Sequence, residues 1–471
     1  MTEALGISIG RTLLKARTSI MVTTKEGPRG YVAFIRRNIT PRRVLITIGQ
    51  LWAVPILIIV RLLRPLIVIR MGLLHSQFIG HYAGDLEIYL CERDSGINWQ
   101  KRYIDLWFNQ TNIISNKHVE KMWKRQLIIL PRALLAPVYL LNRLIPCGKI
   151  HQIGSTFHDR DVNNLLHTQP QHASFTEEEE DMGQRLLSEM GIPEGAPFVC
   201  LNVRDAAFHS QSQFTNYRNA DVGRCMLAAE ELTERGFHVV RIGKKVEHKF
   251  ESGNKKILDY ASSAFRSDFM DIYLGAKCVF VISSSTGWDS IPCILFRRPV
   301  LYINFVPISL VATWNYNTLA IFKRHWFPSQ KRFLTQSEIF YLIDRDFVTK
   351  FPLFDELGVE LVDNTAEEIR DATLEMADML RSEGPKQTNE EMKMQDSFWS
   401  LYTRNLQRFD LRHLHGDINL HGDIRVRIGA KFLATNPEFS HDIIDSAISC
   451  LRPSNERFIP DLPLTPTRPD I

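Results

Sequence analysis

The sequence predicts an α/β fold with two Rossmann-like domains, preceded by a membrane-associated helix and followed by C-terminal helices. With 471 residues, the chain is too long for one ordinary hydrophobic core. Apolar, β-branched runs such as residues 278–282 are typical of strands buried on both faces of a parallel sheet. Amphipathic helical segments such as residues 222–235 alternate with these runs. The alternation predicts parallel sheets that are covered by helices.

The composition excludes several classes of protein. A hydrophobic content of 44% and a charged content of 23% are typical of globular proteins. The formal net charge of +4 is small for this length, so we expect no nucleic-acid partner. The seven cysteines are odd in number and none has CxxC spacing, which argues against a zinc site and against a disulfide framework. A reducing compartment is therefore expected.

Residues 1–64 form a basic segment that contains an apolar run. Residues 1–43 hold nine Lys and Arg against two acids. Residues 44–60 carry no charge, and as a helix they would be about 26 Å long, near the lower limit for crossing a bilayer. Pro55 predicts a kink. We expect a monotopic or re-entrant membrane anchor; a true span and a buried core helix are the alternatives.

Residues 65–170 are predicted to form the first Rossmann-like domain. Residues 66–72 are its first strand, and Gly80, His81 and Glu87 are expected at or beyond the carboxyl edge of a strand, where open α/β sheets bind ligands. His81 is the preferred candidate for a general base because neutral imidazole dominates near pH 7. Glu87 is the second candidate and would need a raised pKa. A structural role for the histidine is the alternative.

The rest of this domain leaves two questions open. Residues 102–108 are predicted to be a strand and residues 116–130 a basic helix, followed by an apolar segment that prolines interrupt. This segment either contributes to an acceptor cleft or continues the membrane-facing surface. Asp159 and Asp161 form an Asp-x-Asp pattern that metal-dependent sugar transferases use, but residues 344–346 repeat it and the intervening arginine favours salt bridges. No metal and no cofactor are therefore expected.

Residues 171–350 are predicted to form the second Rossmann-like domain. Its first helix has a capping box, Thr176 with Glu179. Residues 278–292 predict a strand, a hydroxyl-rich turn and a helix. Hydroxyls and free N–H groups at such a turn suit a phosphate, although the same residues often only cap the helix. The turn contains the following candidate donor-binding residues: Ser283, Ser284, Ser285, Thr286 and Gly287.

Three cations are predicted to lie at the same edge of this second sheet. Arg204 lies at the polar end of the strand predicted at residues 198–205, Lys244 follows the strand at residues 237–243, and Arg218 precedes a helix. Cations and hydroxyls that converge on one edge of a parallel sheet are suited to binding a diphosphate. We therefore expect a nucleotide-diphosphate site there.

Residues 351–471 are predicted to be a C-terminal helical extension. Residues 365–382 and 396–412 have the periodicity of amphipathic helices. Just before this extension, residues 306–335 are rich in aromatic side chains that either line a sugar or nucleobase pocket or pack in the core, and core packing is favoured.

Several short motifs together carry a family resemblance. They are Val68-Ile69-Arg70, Ile79-Gly80-His81 and Glu87; His158-Asp159-Arg160-Asp161 and Phe175-Thr176; and Val203-Arg204-Asp205, Tyr217-Arg218-Asn219, Val240-Arg241-Ile242-Gly243 and Ser283 to Gly287. In these motifs the chain resembles a family of bacterial glycosyltransferases associated with surface-carbohydrate and lipopolysaccharide gene clusters. The likeness extends over residues 65–305, with a weaker match at residues 427–433.

This resemblance implies a two-domain, GT-B-like transferase without a metal. The first domain would hold a membrane-associated glycan or lipid-linked acceptor, and the second a nucleotide-sugar donor. Arg204 is also similar to the donor-binding arginine of fucosyltransferase-like enzymes, but Asp205 stands where they have a second arginine. Two alternatives to a glycosyltransferase are an epimerase-type enzyme acting on nucleotide sugars and an inactive membrane-anchored scaffold of a carbohydrate-assembly complex.

Overall fold

The chain divides into two compact units. A computed structural model describes residues 51–97, 102–153, 161, 163–205, 207, 217–311, 317–344, 354–381, 387–409 and 426–445. The first unit comprises residues 1–159 with 172–174, and the second comprises residues 160–171 with 175–471. The helices predicted as a C-terminal extension belong to the second unit. Three predicted features lie wholly or partly outside the described residues. They are most of the basic segment, Asp159 of the first Asp-x-Asp pattern, and residues 345–346 of the second.

The first unit contains a parallel sheet of three strands in order β1-β2-β3. Its described elements are α1 (Ala53–Leu62), β1 (Val68–Leu74), α2 (Ile79–Asp94), β2 (Tyr103–Asn109), α3 (Lys117–Gln126), β3 (Ile128–Ile129) and α4 (Arg132–Asn142). The side chain of Asn116 caps α3 by accepting hydrogen bonds from the N–H groups of His118 and Val119. The predicted strands at residues 66–72 and 102–108 are therefore confirmed with a shift of one or two residues.

Helices α1 and α4 pack together over one face of this sheet. Ala53 and Leu57 of α1 join Leu135 and Tyr139 of α4 in one buried cluster, which also contains Met71 of β1. Pro55 lies in the first turn of α1, where its missing N–H breaks no hydrogen bond of the described helix. In the described part of the chain, no helix is long and apolar enough to cross a membrane.

The segment around His81 differs from its prediction. His81 and Glu87 were expected at or beyond the carboxyl edge of a strand, but both lie within α2. The buried residues Tyr82, Leu86 and Leu90 recur with the spacing of a helix face. This apolar periodicity outweighs the low helix propensity of the glycines at residues 80 and 84.

The second unit begins with the elements that build a large parallel sheet. They are α5 (Leu165–Thr168), α6 (Glu177–Glu189), β4 (Phe198–Asn202), α7 (Met226–Glu234), β5 (His238–Arg241), β6 (Ile257–Leu258), α8 (Asp268–Lys277), β7 (Val281–Ser283), β8 (Val300–Phe305) and β9 (Thr318–Phe322). The capping box of Thr176 and Glu179 is present at the start of α6, as predicted.

The remaining elements add an antiparallel ribbon, further helices and an edge strand. They are β10 (Arg324–Phe327), β11 (Arg332–Phe333), α9 (Gln336–Leu342), α10 (Phe354–Leu357), β12 (Glu360–Val362), α11 (Ala366–Met379), α12 (Asn389–Arg408), β13 (Val426–Ile428) and α13 (Ala430–Thr435). Phe322 is fully buried and stacks on Phe398 of α12. At this position the core interpretation of the aromatic stretch is confirmed.

The large sheet has seven parallel strands in the order β13-β9-β8-β7-β4-β5-β6. From β4 the chain moves outward through β5 to β6, and then returns to place β7 on the other side of β4. This is the strand order of a doubly wound Rossmann fold, with its topological switch point between β4 and β7. The α/β class with parallel sheets is confirmed.

Candidate functional site

The switch point of the large sheet brings two predicted site segments together. Asn202 of β4 is in register with Ser283 of β7, so the chain leaves both strands at the same edge. The N–H of Arg204 donates to the hydroxyl of Ser284 at 2.9 Å, which links the two strand ends directly. In doubly wound sheets this edge is where ligands bind, because the crossing connections diverge and leave a crevice.

The turn after β7 is organised by a buried carboxylate that sequence reasoning did not single out. Asp289 accepts hydrogen bonds from the hydroxyl of Ser283 at 2.8 Å to both of its oxygens, and from the N–H of Thr286 at 2.7 Å. The side-chain amide of Asn202 donates to the hydroxyl of Thr286 at 2.6 Å and also reaches Asp289. Burial raises the pKa of Asp289 to about 6, although its hydrogen bonds favour the ionised form.

This network leaves few of the predicted phosphate ligands available. The hydroxyls of Ser283, Ser284 and Thr286 all have protein partners, so here the capping interpretation describes the hydroxyls better than the phosphate interpretation. The N–H of Ser285 donates to the hydroxyl of Ser283. A long helix is also absent, because a three-residue 3₁₀ turn that starts at Gly287 and a five-residue π turn follow. The expected dipole contribution of a helix is accordingly small.

Asp289 had a signal in the sequence that we did not use. Thr286 and Asp289 are three residues apart, which is the spacing of a capping box, and the structure contains both of its reciprocal hydrogen bonds. Asn202 had no comparable signal, since its partners come from a strand that is distant in sequence.

The turn after β4 is different, because the described residues provide no counterion for its cation, Arg204. The Nε and Nη2 atoms of Arg204 are buried and have no hydrogen-bond partner among the described residues. Burial lowers the pKa of Arg204, and the charge of Arg218 lowers it further. A guanidinium group that loses water without gaining an acceptor is unfavourable, so this arrangement is suited to binding an anion.

Arg218 is held near Arg204 by the backbone and by an aromatic ring. The N–H of Ala220 donates to the carbonyl of Arg204 at 2.9 Å, which brings the segment after residue 217 alongside the end of β4. The guanidinium group of Arg218 donates from Nε to the hydroxyl of Tyr217 at 3.0 Å and lies over the same ring. The structure therefore brings two of the three predicted cations together.

The neighbouring carboxylate of Asp205 does not neutralise this pair of arginines. It accepts a hydrogen bond from the N–H of Glu247 at 2.7 Å, and its Oδ2 lies 3.5 Å from the buried guanidinium of Arg241. Asp205 therefore fixes the loop after β5. This role explains an acid at a position where the resemblance would have suggested a second arginine.

Lys244, the third predicted cation, follows β5, and its side chain is exposed. Burial raises the pKa of Asp271, and the charge of Lys244 is one of the influences that lower it. The place of Lys244 in the donor site stays a prediction.

In the first unit, His81 and Glu87 have very different surroundings. The side chain of His81 is 32% exposed, and its Nδ1 lies 3.3 Å from Oδ1 of Asp85 one helical turn later. Asp85 therefore orients the imidazole, in the way that a carboxylate orients a general base. Glu87 is fully buried and faces His172, whose Nδ1 lies 3.2 Å from its carboxylate. Glu87 thus has a structural environment, which differs from the catalytic role we considered.

Two groups of described residues have side chains of the kind that bind metal ions. Asp161 accepts hydrogen bonds from the N–H groups of Leu165 and Leu166, so it caps α5. Glu87, Cys91 and His172 place ligand atoms within 4.8 Å of one another. Burial opposes protonation of His172, but hydrogen bonds to Cys91, Glu87 and Asp94 raise its pKa to about 10. Both nitrogens of His172 face carboxylates, Nδ1 that of Glu87 at 3.2 Å and Nε2 that of Asp94 at 2.9 Å, which is the arrangement of an ion-paired histidine.

Comparison with known proteins gives structural likenesses only. No family model and no curated protein matches the chain. A glycosyl transferase of family 9 from Veillonella parvula DSM 2008 is similar in structure, with a TM-score of 0.36 and 11% identity, covering 54% of this chain and 85% of that chain. The ADP-heptose LPS heptosyltransferase II of E. coli is similar with a TM-score of 0.31 and 10% identity, covering 54% of this chain and 90% of that chain.

Proposed function

We propose that the second unit binds the diphosphate of a nucleotide sugar at the switch point of its sheet. The observation that carries this proposal is Arg204, with two buried guanidinium nitrogens that have no partner among the described residues. Arg218 adds a second cation nearby, and Asp205 is turned towards Arg241. A diphosphate supplies the acceptor oxygens and the negative charge that this group lacks.

The same chemistry favours transfer of the sugar over mere storage of the nucleotide. When the bond between the anomeric carbon and the diphosphate oxygen breaks, negative charge develops on the leaving diphosphate. Arginines that are already held in place stabilise that charge without reorganising and without a metal. We therefore propose a glycosyltransferase that is GT-B-like and metal-independent, acting in cell-surface polysaccharide synthesis.

His81 is the proposed general base in an inverting transfer. An acceptor hydroxyl would form its bond to the anomeric carbon, give its proton to the imidazole nitrogen that does not face Asp85, and displace the nucleoside diphosphate. The exposure of His81 and its contact with Asp85 support this choice over Glu87. The acceptor is proposed to be a membrane-associated glycan or lipid-linked molecule at the cytoplasmic face of the inner membrane, consistent with the basic, apolar character of residues 1–64.

The donor site is tested by nucleotide binding. UDP, GDP, ADP and CDP should be titrated by calorimetry and by thermal shift, and at least one should raise the melting temperature of the wild-type protein. Arg204→Met should weaken that nucleotide by about 1.5 to 3 kcal/mol for each charge-assisted hydrogen bond lost. Arg235→Met is the matched control, because Arg235 forms a surface ion pair with Asp378.

Other results would point to the alternatives. If no nucleotide binds, the protein is better explained as an inactive scaffold. If nucleotide binding needs a divalent cation and is lost when a chelator is added, the proposal of a metal-independent site is wrong. If the nucleotide sugar is altered without any acceptor, an epimerase-type enzyme is favoured.

The base is tested by turnover with the donor that binding identifies. His81→Ala should lower kcat by about a hundredfold or more and leave donor affinity unchanged, because only proton transfer is lost. Asp85→Asn should lower kcat less, since the imidazole remains but loses its orienting carboxylate. His441→Ala, at an exposed position of the second unit, is the control. Normal turnover in His81→Ala would reject His81 as the base.

A further inference from the structure

The outer face of α1 lacks the polar residues of a helix that faces water. Leu57 and Val60 point into the core, yet the opposite side also carries large apolar side chains, including Ile59 at 55% exposure and Leu62 at 73%. A surface helix usually alternates between an apolar and a polar face. For comparison, the exposed residues of α12 include Glu390, Lys393 and Asp396.

Apolar exposure continues on a segment that is eighty residues away in the sequence. Leu134 of α4 is 55% exposed, and Leu144 and Ile145 after α4 are 36% and 42% exposed. Arg61 at the end of α1 donates to the carbonyl of Pro146 at 3.1 Å and to the side chain of Asn142. These bonds, with the packing of α1 on α4, make one continuous surface. We call it the apolar face, and it consists of Val54, Ile56, Ile58, Ile59, Leu62, Leu66, Leu134, Leu144 and Ile145.

The two stretches of chain that build the apolar face carry charges of one sign. No Asp or Glu occurs between Glu26 and Asp85, or between Glu120 and Asp159, which are the two stretches that build it. The same stretches supply the exposed cations Arg64, Arg143 and Lys149. An apolar patch whose own stretches carry cations and no acids matches the headgroup region of an anionic bilayer.

We propose that the apolar face is a docking surface for an anionic lipid bilayer. Its side chains enter the boundary between headgroups and acyl chains, while Arg64, Arg143 and Lys149 contact lipid phosphates. The protein lies on the membrane through two segments, of which the second, residues 134–149, was open between a membrane surface and an acceptor cleft on sequence grounds. This proposal does not depend on the reaction that the protein catalyses.

Self-association explains the surface less well. In a two-fold dimer the same patch meets its own copy, so the cations of one copy would approach those of the other with no acid from either stretch to balance them. A bilayer that contains phosphatidylglycerol supplies the missing negative charge. The charge pattern therefore selects lipid over a second copy of the chain.

The test uses the full chain and vesicles of defined composition. Co-sedimentation is measured with phosphatidylcholine alone and with equal parts of phosphatidylcholine and phosphatidylglycerol. The wild-type protein should bind the anionic vesicles more tightly. The double variant Ile59→Ser with Leu62→Ser should bind about tenfold more weakly or worse, because two apolar side chains no longer enter the bilayer.

A second pair of variants tests the charge contribution. Arg64→Gln with Lys149→Gln should lower binding to anionic vesicles by about fivefold for each cation, and should leave binding to neutral vesicles unchanged. Two matched controls come from the second unit, Ile443→Ser with Met392→Ser for exposed apolar residues and Lys393→Gln for an exposed cation. Circular dichroism melting confirms that each variant is folded.

Three results would overturn the proposal. Vesicle binding that is unchanged in Ile59→Ser with Leu62→Ser would assign membrane contact to other residues, such as residues 1–50. Equal binding to neutral and anionic vesicles would remove the role of the cations. A dimer that dissociates in the apolar variant, with no vesicle binding by the wild-type protein, would make the surface a contact between copies.

Discussion

The ends of β4 and β7 lie side by side, but their polar groups differ in whether their hydrogen bonds are made within the protein. After β7, a hydroxyl-rich turn looked like a ready phosphate site, yet Asp289 and its neighbours satisfy most of its donors. After β4, the sequence offered a single arginine, and this side chain keeps two buried donors without a partner among the described residues. The difference teaches that polar residues at a strand end identify a binding site only when their hydrogen bonds are not already made within the protein.

The largest expected effect comes from removing the centre of the satisfied turn. Asp289→Ala should destabilise the protein by about 3 to 5 kcal/mol, because the buried donors of Ser283, Thr286 and Asn202 lose their acceptor. Denaturant unfolding measures this change. The control Asp396→Ala, at an exposed position on α12, should stay within about 0.5 kcal/mol of the wild-type protein. A small effect of Asp289→Ala would show that the hydrogen bonds accepted by Asp289 contribute little to the stability of the protein.

The ionisation of Asp289 gives the next largest effect. Burial raises its folded-state pKa to about 6, above the ordinary value of 3.8, so folding favours the protonated form. The stabilisation is complete below pH 4 and is lost as the pH rises through 6, by on the order of 2 to 3 kcal/mol. The wild-type protein should therefore lose stability relative to Asp289→Asn between pH 4 and 6. A constant difference over this range would contradict the raised pKa.

Two serines of the same turn should respond in opposite directions. Ser283→Ala removes a buried donor to Asp289 and should destabilise the protein by about 1.5 kcal/mol. Ser285 has a φ of 62°, which glycine adopts without strain, so Ser285→Gly should be neutral or stabilising by about 0.5 kcal/mol. Thermal unfolding of the pair measures both changes. Equal losses of stability in the two variants would show that the hydrogen bond from Ser283 to Asp289 does not account for the destabilisation.

The last effect, at the end of β4, has the opposite sign to the first. Without nucleotide, Arg204→Met should stabilise the protein by about 1 kcal/mol, since it removes buried donors that have no acceptor. The same variant should lose nucleotide binding. Calorimetric unfolding with and without ligand separates the two changes, with Arg235→Met as the control. A destabilised Arg204→Met protein would mean that Arg204 serves the fold and that the site needs another anion-binding group.

Much of the fold was predictable because it depends on local spacing. The strand predicted at residues 198–205 and the helix predicted at residues 365–382 lie within about three residues of their observed bounds. The capping box of Thr176 is present as predicted. The helix that contains His81 was not predicted, because His81 and Glu87 were assigned to a strand edge although the apolar residues of this segment recur with helical spacing. Asp289, which accepts the hydrogen bonds of the turn after β7, was not predicted, although its spacing from Thr286 is that of a capping box.

By itself, the sequence determined the alternation of strands and helices and the positions of Arg204 and the hydroxyls at strand ends, since periodicity and turn chemistry act over a few residues. Only the tertiary structure decided that β4 lies beside β7, that Asp205 turns to Arg241, and that α1 and the segment after α4 share one apolar face. The physical reason is that hydrogen-bond satisfaction and burial depend on spatial neighbours from distant parts of the chain. Which polar group remains unpaired is therefore a property of the fold.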